Sequence, residues 1–305
     1  MKDSPYFKQA EILLRILPYV DKEKRFALKG GTAINFFIRE LPRLSVDIDL
    51  AYLPVNDRNS ALTDISESLC RISTTIEKSI ADLRSNKKTD EATGLTSSLI
   101  IQKSGLTVKV EPNPVIRGSV FQPQVVSLNK KAQDLFETSV TVQALSFEDL
   151  YGSKICAALA RQHPRDLFDV KLLLGNEGIT DKIRKAFIVY LISHQRPIIE
   201  LLKPNLLDVE SVFSGEFKGM TLVEIKLEEL VRVREQLIKQ INESLTNIER
   251  RFLLSFKKME PEWNLLELDD IENLPAVKWK LLNLEQMDKK KHKKAVQKLN
   301  EFLKL

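Results

Sequence analysis

Two short stretches of this 305-residue chain decide its fold, KGGT at residues 29–32 and RLSVDID at residues 43–49. Residues 25–29 are typical of a short strand that ends at the glycine pair, and an amphipathic helical pattern follows over residues 32–40. Residues 46–50 alternate between apolar and acidic side chains, which is the period of a half-buried strand. The two stretches therefore predict a strand, a tight glycine turn, a helix and a second strand.

The second of these strands carries two aspartates on one face. Residues two apart in a strand project to the same side, so Asp47 and Asp49 lie together while Ile48 points into the core. Two neighbouring carboxylates repel each other unless a cation lies between them, and Mg²⁺ usually takes one or two carboxylates together with substrate phosphates. We therefore expect the pair to bind Mg²⁺; the alternative is an ordinary Asp-x-Asp at a strand end.

The glycine turn is suited to hold those phosphates. Gly30 and Gly31 lack a Cβ atom, so backbone N–H groups can approach an anion closely, and the helix that follows directs its positive end to the same place. Together with Thr32, they predict a site for the triphosphate of an NTP beside the metal. The alternative is a Gly-Gly turn with no ligand.

A third acid is predicted at the end of a later strand. Residues 99–102 and 106–111 are typical of a β-hairpin, and Glu111 faces the side opposite to Val108. Glu111 is the candidate third metal ligand and the candidate general base that takes a proton from an attacking hydroxyl. The alternative is a solvated pair between Glu111 and Lys109 on the surface.

The remaining patterns complete a small mixed α/β domain at residues 1–145. Helical spacing of apolar residues predicts helices over residues 4–20 and 57–83, and the polar run at 85–93 predicts a charged loop. From residue 146 onward strand signals largely disappear, so residues 146–305 are predicted to form a helical domain with a basic tail. Its helices are predicted over residues 146–174, 181–202 and 222–256, the last as one long helix with a single apolar stripe. The predicted fold class is therefore α/β of the α+β kind, a small mixed sheet followed by helices.

Charge is concentrated at the end of the chain. Lys and Arg total 47 against 42 Asp and Glu, yet residues 280–305 contain eight Lys and three acids. This pattern excludes a uniformly basic nucleic-acid-binding coat and leaves a local basic segment. The lysine run at residues 289–294 is either a contact for an RNA backbone or a solvated helix end.

Neither a membrane segment nor a zinc or disulfide framework is predicted. No window approaches the ~20 consecutive apolar residues of a membrane-spanning helix, and the first residues lack the apolar run of a signal peptide. The two cysteines, Cys70 and Cys156, form no CxxC motif, and the three histidines are far apart in sequence. We expect a protein that resides in the cytoplasm and has no membrane partner.

The ordered set of motifs resembles the nucleotidyltransferase superfamily of the polymerase-beta type, whose hallmark is a Gly-Ser or Gly-Gly-Thr turn followed by Asp-x-Asp. The stretches KGGTAI (29–34) and RLSVDIDL (43–50) resemble more closely the AbiEii/AbiGii toxin branch, in which the Arg-x-Ser-x-Asp-x-Asp-Leu run is characteristic. A second block, LYGSKICAALAR (150–161) followed by PRDLFDV (164–170), is similar to the helical Lys…Arg…Arg-Asp-x-x-Asp motif of that branch. The resemblance covers about residues 25–175.

The second block adds further candidate site residues. By spacing alone, Lys154 and Arg161 share one face of a helix. Asp166 and Asp169 lie at the N-terminal end of a helix that begins at Pro164. Both features are also ordinary for solvated and capping side chains. The resemblance assigns Lys154 to the triphosphate and Asp166 to the active site, and it leaves Arg161 and Asp169 open to a structural role such as an ion pair. The nucleotide-binding residues that it implies are Lys29, Gly30, Gly31, Thr32, Arg43, Ser45 and Arg161.

The resemblance implies an enzyme, a Mg²⁺-dependent nucleotidyltransferase that acts as the toxin of a type IV toxin–antitoxin or phage abortive-infection system. The expected reaction transfers an NMP from an NTP to an RNA acceptor, the 3′ end of tRNA, and thereby blocks translation. A separately encoded cognate antitoxin is the expected partner. Two alternatives stay open: a transferase that modifies a small molecule such as an antibiotic, or a protein, and a non-catalytic binding module on the same fold.

Overall fold

The structure, a computed structural model, describes residues 4–305, so the first three residues of the predicted N-terminal domain lie outside the described part. The chain divides into two compact units. One unit runs to Ser146 and also includes Gly219–Glu224, and the other consists of Phe147–Lys218 and Ile225–Leu305. A short segment far along the chain therefore belongs to the first unit.

A seven-stranded mixed sheet forms the core of the first unit. The helices and strands of this unit, in chain order, are α1 (Pro5–Val20), β1 (Phe26–Lys29), α2 (Gly30–Ala33), β2 (Asp47–Tyr52), α3 (Arg58–Ser79), β3 (Arg84–Thr89), β4 (Thr96–Lys103), β5 (Leu106–Pro112), β6 (Gln124–Ser127), α4 (Lys130–Phe136) and β7 (Thr141–Ala144). A π-helical turn, Ile34–Ile38, continues α2. The strand order across the sheet is β3-β4-β5-β2-β1-β7-β6. Because β2 runs antiparallel to β1 and parallel to β5, all three predicted acids lie on central strands.

The alternation predicted for the second strand is confirmed. In β2, Ile48 and Leu50 are buried, whereas Asp47 and Asp49 are half-buried. The helix α1 packs on β5 and α3 packs on β4, so apolar side chains of both helices cover the sheet. Burial of the apolar residues of β2 leaves its two acids on the other face.

The predicted loop at residues 85–93 is wrong, because Arg84–Thr89 form the edge strand β3, which pairs antiparallel with β4. The side chains of β3 are polar and mostly exposed, so the strand lacks the apolar alternation by which a sequence indicates a strand. Charged residues are common on edge strands, where they discourage pairing with another sheet. The strands β6 and β7 also lie outside the sequence predictions, because four residues are too few for a clear alternation.

The second unit is built of helices. In chain order they are α5 (Phe147–Arg161), α6 (Pro164–Gly175), α7 (Asp181–Ser193), α8 (Ile198–Leu202), α9 (Glu210–Glu216), α10 (Leu227–Ser244), α11 (Asn247–Lys257), α12 (Pro275–Glu285) and α13 (Lys289–Leu303). The mixed sheet followed by helices confirms the predicted α/β (α+β) class. Within residues 4–305, no helix is both long and apolar enough to cross a lipid bilayer.

The predicted single helix over residues 222–256 is also wrong, because it is two helices, α10 and α11, that meet at Thr246. Oγ1 of Thr246 accepts a hydrogen bond from the backbone N–H of Glu249 at 3.2 Å, and the Glu249 carboxylate accepts one from the N–H of Thr246 at 2.8 Å. This capping box starts a new helix. The apolar stripe continues across the break, so hydrophobic periodicity alone does not show it.

Candidate active site

The glycine turn begins where β1 ends. Gly30 has a φ of +72°, a left-handed conformation that favours glycine. A Cβ atom at this position would lie 2.5 Å from Oδ2 of Asp49, closer than real Cβ contacts come. The backbone of the turn therefore packs directly against the second aspartate of the Asp-x-Asp pair.

The second glycine packs against the Arg-x-Ser part of the motif. A Cβ atom on Gly31 would lie 2.5 Å from Nη2 of Arg43 and 3.1 Å from Oγ of Ser45. Arg43 is only 2% exposed, and its Nη1 donates a hydrogen bond to the carbonyl of Leu44 at 2.9 Å. Arg43 and Ser45, which the resemblance assigns to the nucleotide, thus pack against the glycine turn and support its backbone.

Two polar side chains fix the conformation of the turn. Thr32 is buried, and its Oγ1 lies 3.0 Å from Oγ of Ser45 and donates to the carbonyl of Asp47 at 2.5 Å. Nδ2 of Asn35 donates to the carbonyl of Gly31 at 2.9 Å. Sequence reasoning missed Asn35, although a polar side chain four residues after a helical carbonyl is placed to make this bond. The Thr32 hydroxyl therefore ties the turn to the first aspartate of β2.

Three strands align a lysine and two acids in one row. The antiparallel pairing of β1 with β2 places Lys29 opposite Asp49, and the parallel pairing of β2 with β5 places Glu111 opposite Asp49. Asp47 is likewise paired with Lys109. Residues paired across neighbouring strands point to the same face of the sheet. All three predicted acids therefore lie on one face, together with two lysines.

Glu111 and Lys109 also form the surface ion pair that the sequence left open as the alternative to a metal-binding or catalytic role of Glu111. Nζ of Lys109 lies 2.6 Å from Oε2 of Glu111, and the Glu111 side chain is 48% exposed. Within residues 4–305, no group of three or more Asp, Glu, His or Cys side chains is close enough to hold a metal ion. The three predicted acids therefore share a face without forming a complete site of three carboxylates.

The donor set of the turn and β2 suits Mg²⁺. Asp47 and Asp49 offer carboxylate oxygens from one face, and the backbone of Gly30 lies against Asp49. Mg²⁺ is a hard cation that is usually bound through one or two protein carboxylates, several waters and substrate phosphates, and not by a cage made entirely of protein. The residues present fit a Mg²⁺ ion that shares its coordination with the phosphates of a nucleotide.

The second motif block forms a buried ion cluster within the second unit. Nζ of Lys154, in α5, lies 2.8 Å from Oδ1 of Asp166 and 3.1 Å from Oδ2 of Asp169, both in α6. The Lys154 side chain is only 7% exposed, and both aspartates are buried. Buried charges persist in proteins where they are paired. The cluster therefore joins α5 to α6.

Arg161, in the last turn of α5, adds a second cation to the cluster. Its Nε lies 2.5 Å from Oδ2 of Asp166 and its Nη2 lies 3.0 Å from Oδ1, a bidentate arrangement, while its side chain stays 61% exposed. Burial alone would raise the pKa of Asp166, but the charges of Lys154 and Arg161 hold that pKa well below its ordinary value. Asp166 is therefore an ionised carboxylate that orients two cations. The shared contact also confirms that Lys154 and Arg161 lie on one face of their helix.

The structure gathers the predicted site residues into two groups. The group around the glycine turn of the first unit contains Lys29, Gly30, Gly31, Thr32, Arg43, Ser45, Asp47, Asp49 and Glu111. The group in the second unit contains Lys154, Arg161 and Asp166. Asp169, for which the resemblance left a structural role such as an ion pair open, is the second partner of Lys154. What each residue does toward a nucleotide stays a prediction.

Comparison with known proteins identifies the family. A family model described as nucleotidyl transferase AbiEii toxin, type IV TA system, matches residues 11–281. No curated protein sequence matches the chain. Among solved structures, MenT4, a nucleotidyltransferase toxin from Mycobacterium tuberculosis H37Rv, has a similar fold, with a TM-score of 0.62 and 13% sequence identity, covering 92% of this chain and 93% of that chain. Because the family model spans most of the chain, the protein belongs to the AbiEii family of nucleotidyltransferase toxins of type IV toxin–antitoxin systems.

Proposed function

We propose that this toxin is a Mg²⁺-dependent enzyme that transfers an NMP from an NTP to the 3′ end of tRNA, and that this modification blocks translation. The observation that carries the proposal is the contact between the Gly30 backbone and the Asp49 carboxylate. This contact supports the proposal because a turn suited to phosphate lies directly against a carboxylate suited to a metal ion. The enzyme acts in the cytoplasm, where tRNA and NTP are available, and its activity is restrained by a cognate antitoxin.

The reaction is a displacement at the α-phosphorus of the NTP. The terminal hydroxyl oxygen of the acceptor forms a bond to this phosphorus, the bond to the β-phosphate oxygen breaks, and pyrophosphate leaves. Asp47 and Asp49 would hold Mg²⁺, which when bound neutralises charge on the phosphate oxygens and on the leaving pyrophosphate. Backbone N–H groups of the glycine turn bind phosphate oxygens.

Glu111 is the proposed base of this reaction. It lies on the same face as Asp49, in register on the neighbouring strand, and its exposed carboxylate is free of the core. A carboxylate at this place accepts the proton that the attacking hydroxyl loses. In the structure, Nζ of Lys109 donates a hydrogen bond to this carboxylate at 2.6 Å.

The cluster of the second unit is proposed to bind the triphosphate, as the resemblance implies. Asp166 holds Lys154 and Arg161 by hydrogen bonds. Two cations that are fixed before a ligand arrives lose little freedom when they bind a phosphate. Arg161 is the exposed member, with a side chain 61% exposed, so its guanidinium is the part of the cluster that an anion in solution can approach.

A labelling experiment tests the proposed function. The purified protein is incubated with Mg²⁺, one of four α-labelled NTPs, and total tRNA, total protein or a panel of aminoglycosides as acceptor. We expect label on tRNA, from which nuclease digestion releases it at the 3′ end. Asp49→Asn removes the charge without changing the size of the side chain and is expected to lower transfer by about a hundredfold or more.

Asp134→Asn is the matched control, because Asp134 is an exposed aspartate in α4 whose removal costs at most a surface ion pair. Its transfer rate is expected to equal that of the unaltered protein. Label on protein or on the aminoglycosides, with none on tRNA, would show that the acceptor is a protein or a small molecule and is not tRNA. No label on any acceptor would favour the non-catalytic binding module.

A further inference from the structure

The helix α13 has one buried stripe and one lysine-rich face. Leu299 and Leu303 are buried, and His292 and Val296 lie on the same side of the helix at spacings of three or four residues. The rest of the helix surface is exposed to solvent. Its cations, here called the lysine face, are Lys289, Lys290, Lys291, Lys293, Lys294 and Lys298.

The position of the lysine face is unfavourable for the helix itself. Five of its six lysines lie in the first two turns, where the macrodipole of a helix is positive, and the first turn contains no acid. Lys289 and Lys290 are each followed by another lysine four residues later, and like charges at this spacing repel. Within residues 4–305, no acid forms an ion pair with the ammonium groups of this face. Helix stability therefore does not explain this pattern.

A second uncompensated cation lies beside α13. Lys257, in the last turn of α11, is only 8% exposed, and its ammonium has no hydrogen-bond or ion-pair partner within the described residues. Its backbone carbonyl lies 2.8 Å from Nε2 of His292 in α13. Burial and the charge of Lys257 together lower the pKa of Lys280 to about 8. Two lysine ammonium groups therefore lie close enough to influence each other in this part of the second unit, which adds to its local positive charge.

We propose that the lysine face of α13 is the docking surface for the phosphate backbone of the RNA acceptor. The inference rests on the RNA acceptor of the proposed function and adds the place where that RNA is held.

The chemistry of the face favours RNA over an acidic protein. From Lys289 to Lys298 the charges extend along about 14 Å of helix axis, which matches the line of closely spaced charges on a nucleic-acid backbone. Protein interfaces, in contrast, are depleted in lysine and depend on apolar or aromatic anchors at their centre. The members of the lysine face enclose no such anchor. Lysine ammonium groups bind phosphate as point charges without reading sequence, as an enzyme that meets many tRNA species requires.

The test compares two triple variants with equal loss of charge. Lys290→Gln, Lys293→Gln and Lys294→Gln together remove half of the lysine face, and Lys87→Gln, Lys88→Gln and Lys131→Gln remove three exposed lysines of the first unit. The Kd for tRNA is measured by titration over a series of salt concentrations. We expect the first variant to bind about tenfold or more weakly at about 0.1 M salt, with a salt slope smaller by about two to three. The second variant is expected to bind like the unaltered protein.

Several outcomes would overturn the inference. Equal loss of affinity in both triple variants would show that tRNA binding depends only on the net charge of the protein. An unchanged Kd in the first variant would show that the lysine face does not bind RNA. Binding of poly-glutamate as tight as that of tRNA, lost in the first variant, would assign the face to an acidic protein. The labelling of tRNA by the unaltered protein is recorded in parallel, so a failed docking surface and a failed acceptor are told apart.

A single substitution tests whether Lys257 contributes to RNA binding. Lys257→Met removes the charge and keeps the approximate length of the side chain. We expect the Kd for tRNA to increase while Tm changes by less than about 2 °C, because the Lys257 ammonium is not fully removed from solvent. A lower Tm with an unchanged Kd would identify Lys257 as a structural residue and exclude it from the surface.

Discussion

A Cβ atom on Gly30 would lie 2.5 Å from Oδ2 of Asp49, so the glycine turn and the strand β2 are in direct contact. The left-handed φ of Gly30 and this close approach both require a residue without a side chain. The carboxylate of Asp49 is therefore positioned in part by the backbone of a residue nineteen places earlier in the chain.

The first prediction separates these two requirements. Gly94 has nearly the same φ as Gly30, +70° against +72°, but no atom lies within 4 Å of its Cβ position. Gly30→Ala and Gly94→Ala are each expected to lower the free energy of unfolding by about 1 kcal/mol from backbone strain. Only Gly30→Ala displaces Asp49, so we expect its NMP transfer rate to fall by about a hundredfold. Equal transfer rates for the two variants would contradict the dependence of Asp49 on the turn.

The second prediction concerns the hydroxyl of Thr32. Thr32→Val keeps the shape of the side chain and removes the donor to the Asp47 carbonyl, so we expect a loss of about 1–3 kcal/mol in the free energy of unfolding and a lower transfer rate. Thr32→Ser retains the hydroxyl and loses one methyl group, which costs about 1 kcal/mol. Urea denaturation and labelled transfer measure both effects. A Val variant as active as the Ser variant would show that the hydrogen bond to Asp47 has no part in positioning the acid.

The central strands of the fold could be predicted from the sequence because their residues alternate in burial. In β2, Ile48 and Leu50 are buried while Asp47 and Asp49 are half-buried, so the amino-acid pattern follows the period of the strand. The edge strand β3 carries charged and polar residues on both sides, and its pairing with β4 is a tertiary feature without a local signal. The break at Thr246 did have a signal, the Thr-x-x-Glu capping box, but the continuous apolar stripe concealed it.

Some features of the candidate site could likewise be predicted from the sequence, and others could not. Spacing alone placed Asp47 and Asp49 on one face, because this depends only on the period of a strand. The register that puts Glu111 opposite Asp49 depends on how two strands pair, and a slip of one residue would turn Glu111 to the other face. The burial of Arg43 against Gly31 had no sequence signal, since arginine side chains are mostly exposed in folded proteins.

The third prediction is the pH dependence of the buried cluster. The pKa of Asp166 in the folded protein lies below its ordinary value of 3.8, because Lys154 and Arg161 outweigh the effect of burial. A carboxyl group of this kind contributes stability that is complete above its unfolded pKa and is lost as the pH falls through the folded pKa. We expect the unaltered protein to lose stability steadily below about pH 4. Asp166→Asn is expected to be less stable by about 3 kcal/mol at neutral pH, with a shallower loss in acid.

Urea denaturation between about pH 2.5 and 7 measures this difference. Asp134→Asn, which alters an exposed aspartate, is the control and should follow the unaltered protein across the range. If the free energies of unfolding of the unaltered protein and Asp166→Asn fell in parallel below about pH 4, protonation of Asp166 would not be a cause of the loss of stability in acid.

The last prediction decides between the two interpretations of Glu111. If Glu111 takes the proton from the attacking hydroxyl, Glu111→Gln should lower kcat for NMP transfer by about 10²- to 10⁴-fold, because the amide cannot act as a base. Lys109→Met removes the other partner of the 2.6 Å contact and leaves the carboxylate in place, so transfer should continue. The Lys109 and Glu111 side chains are 35% and 48% exposed and form a surface ion pair, so either substitution should change the free energy of unfolding by less than about 1 kcal/mol. If the two variants transferred NMP equally well, Glu111 and Lys109 would be only a surface ion pair, and the base would have to be sought among other residues.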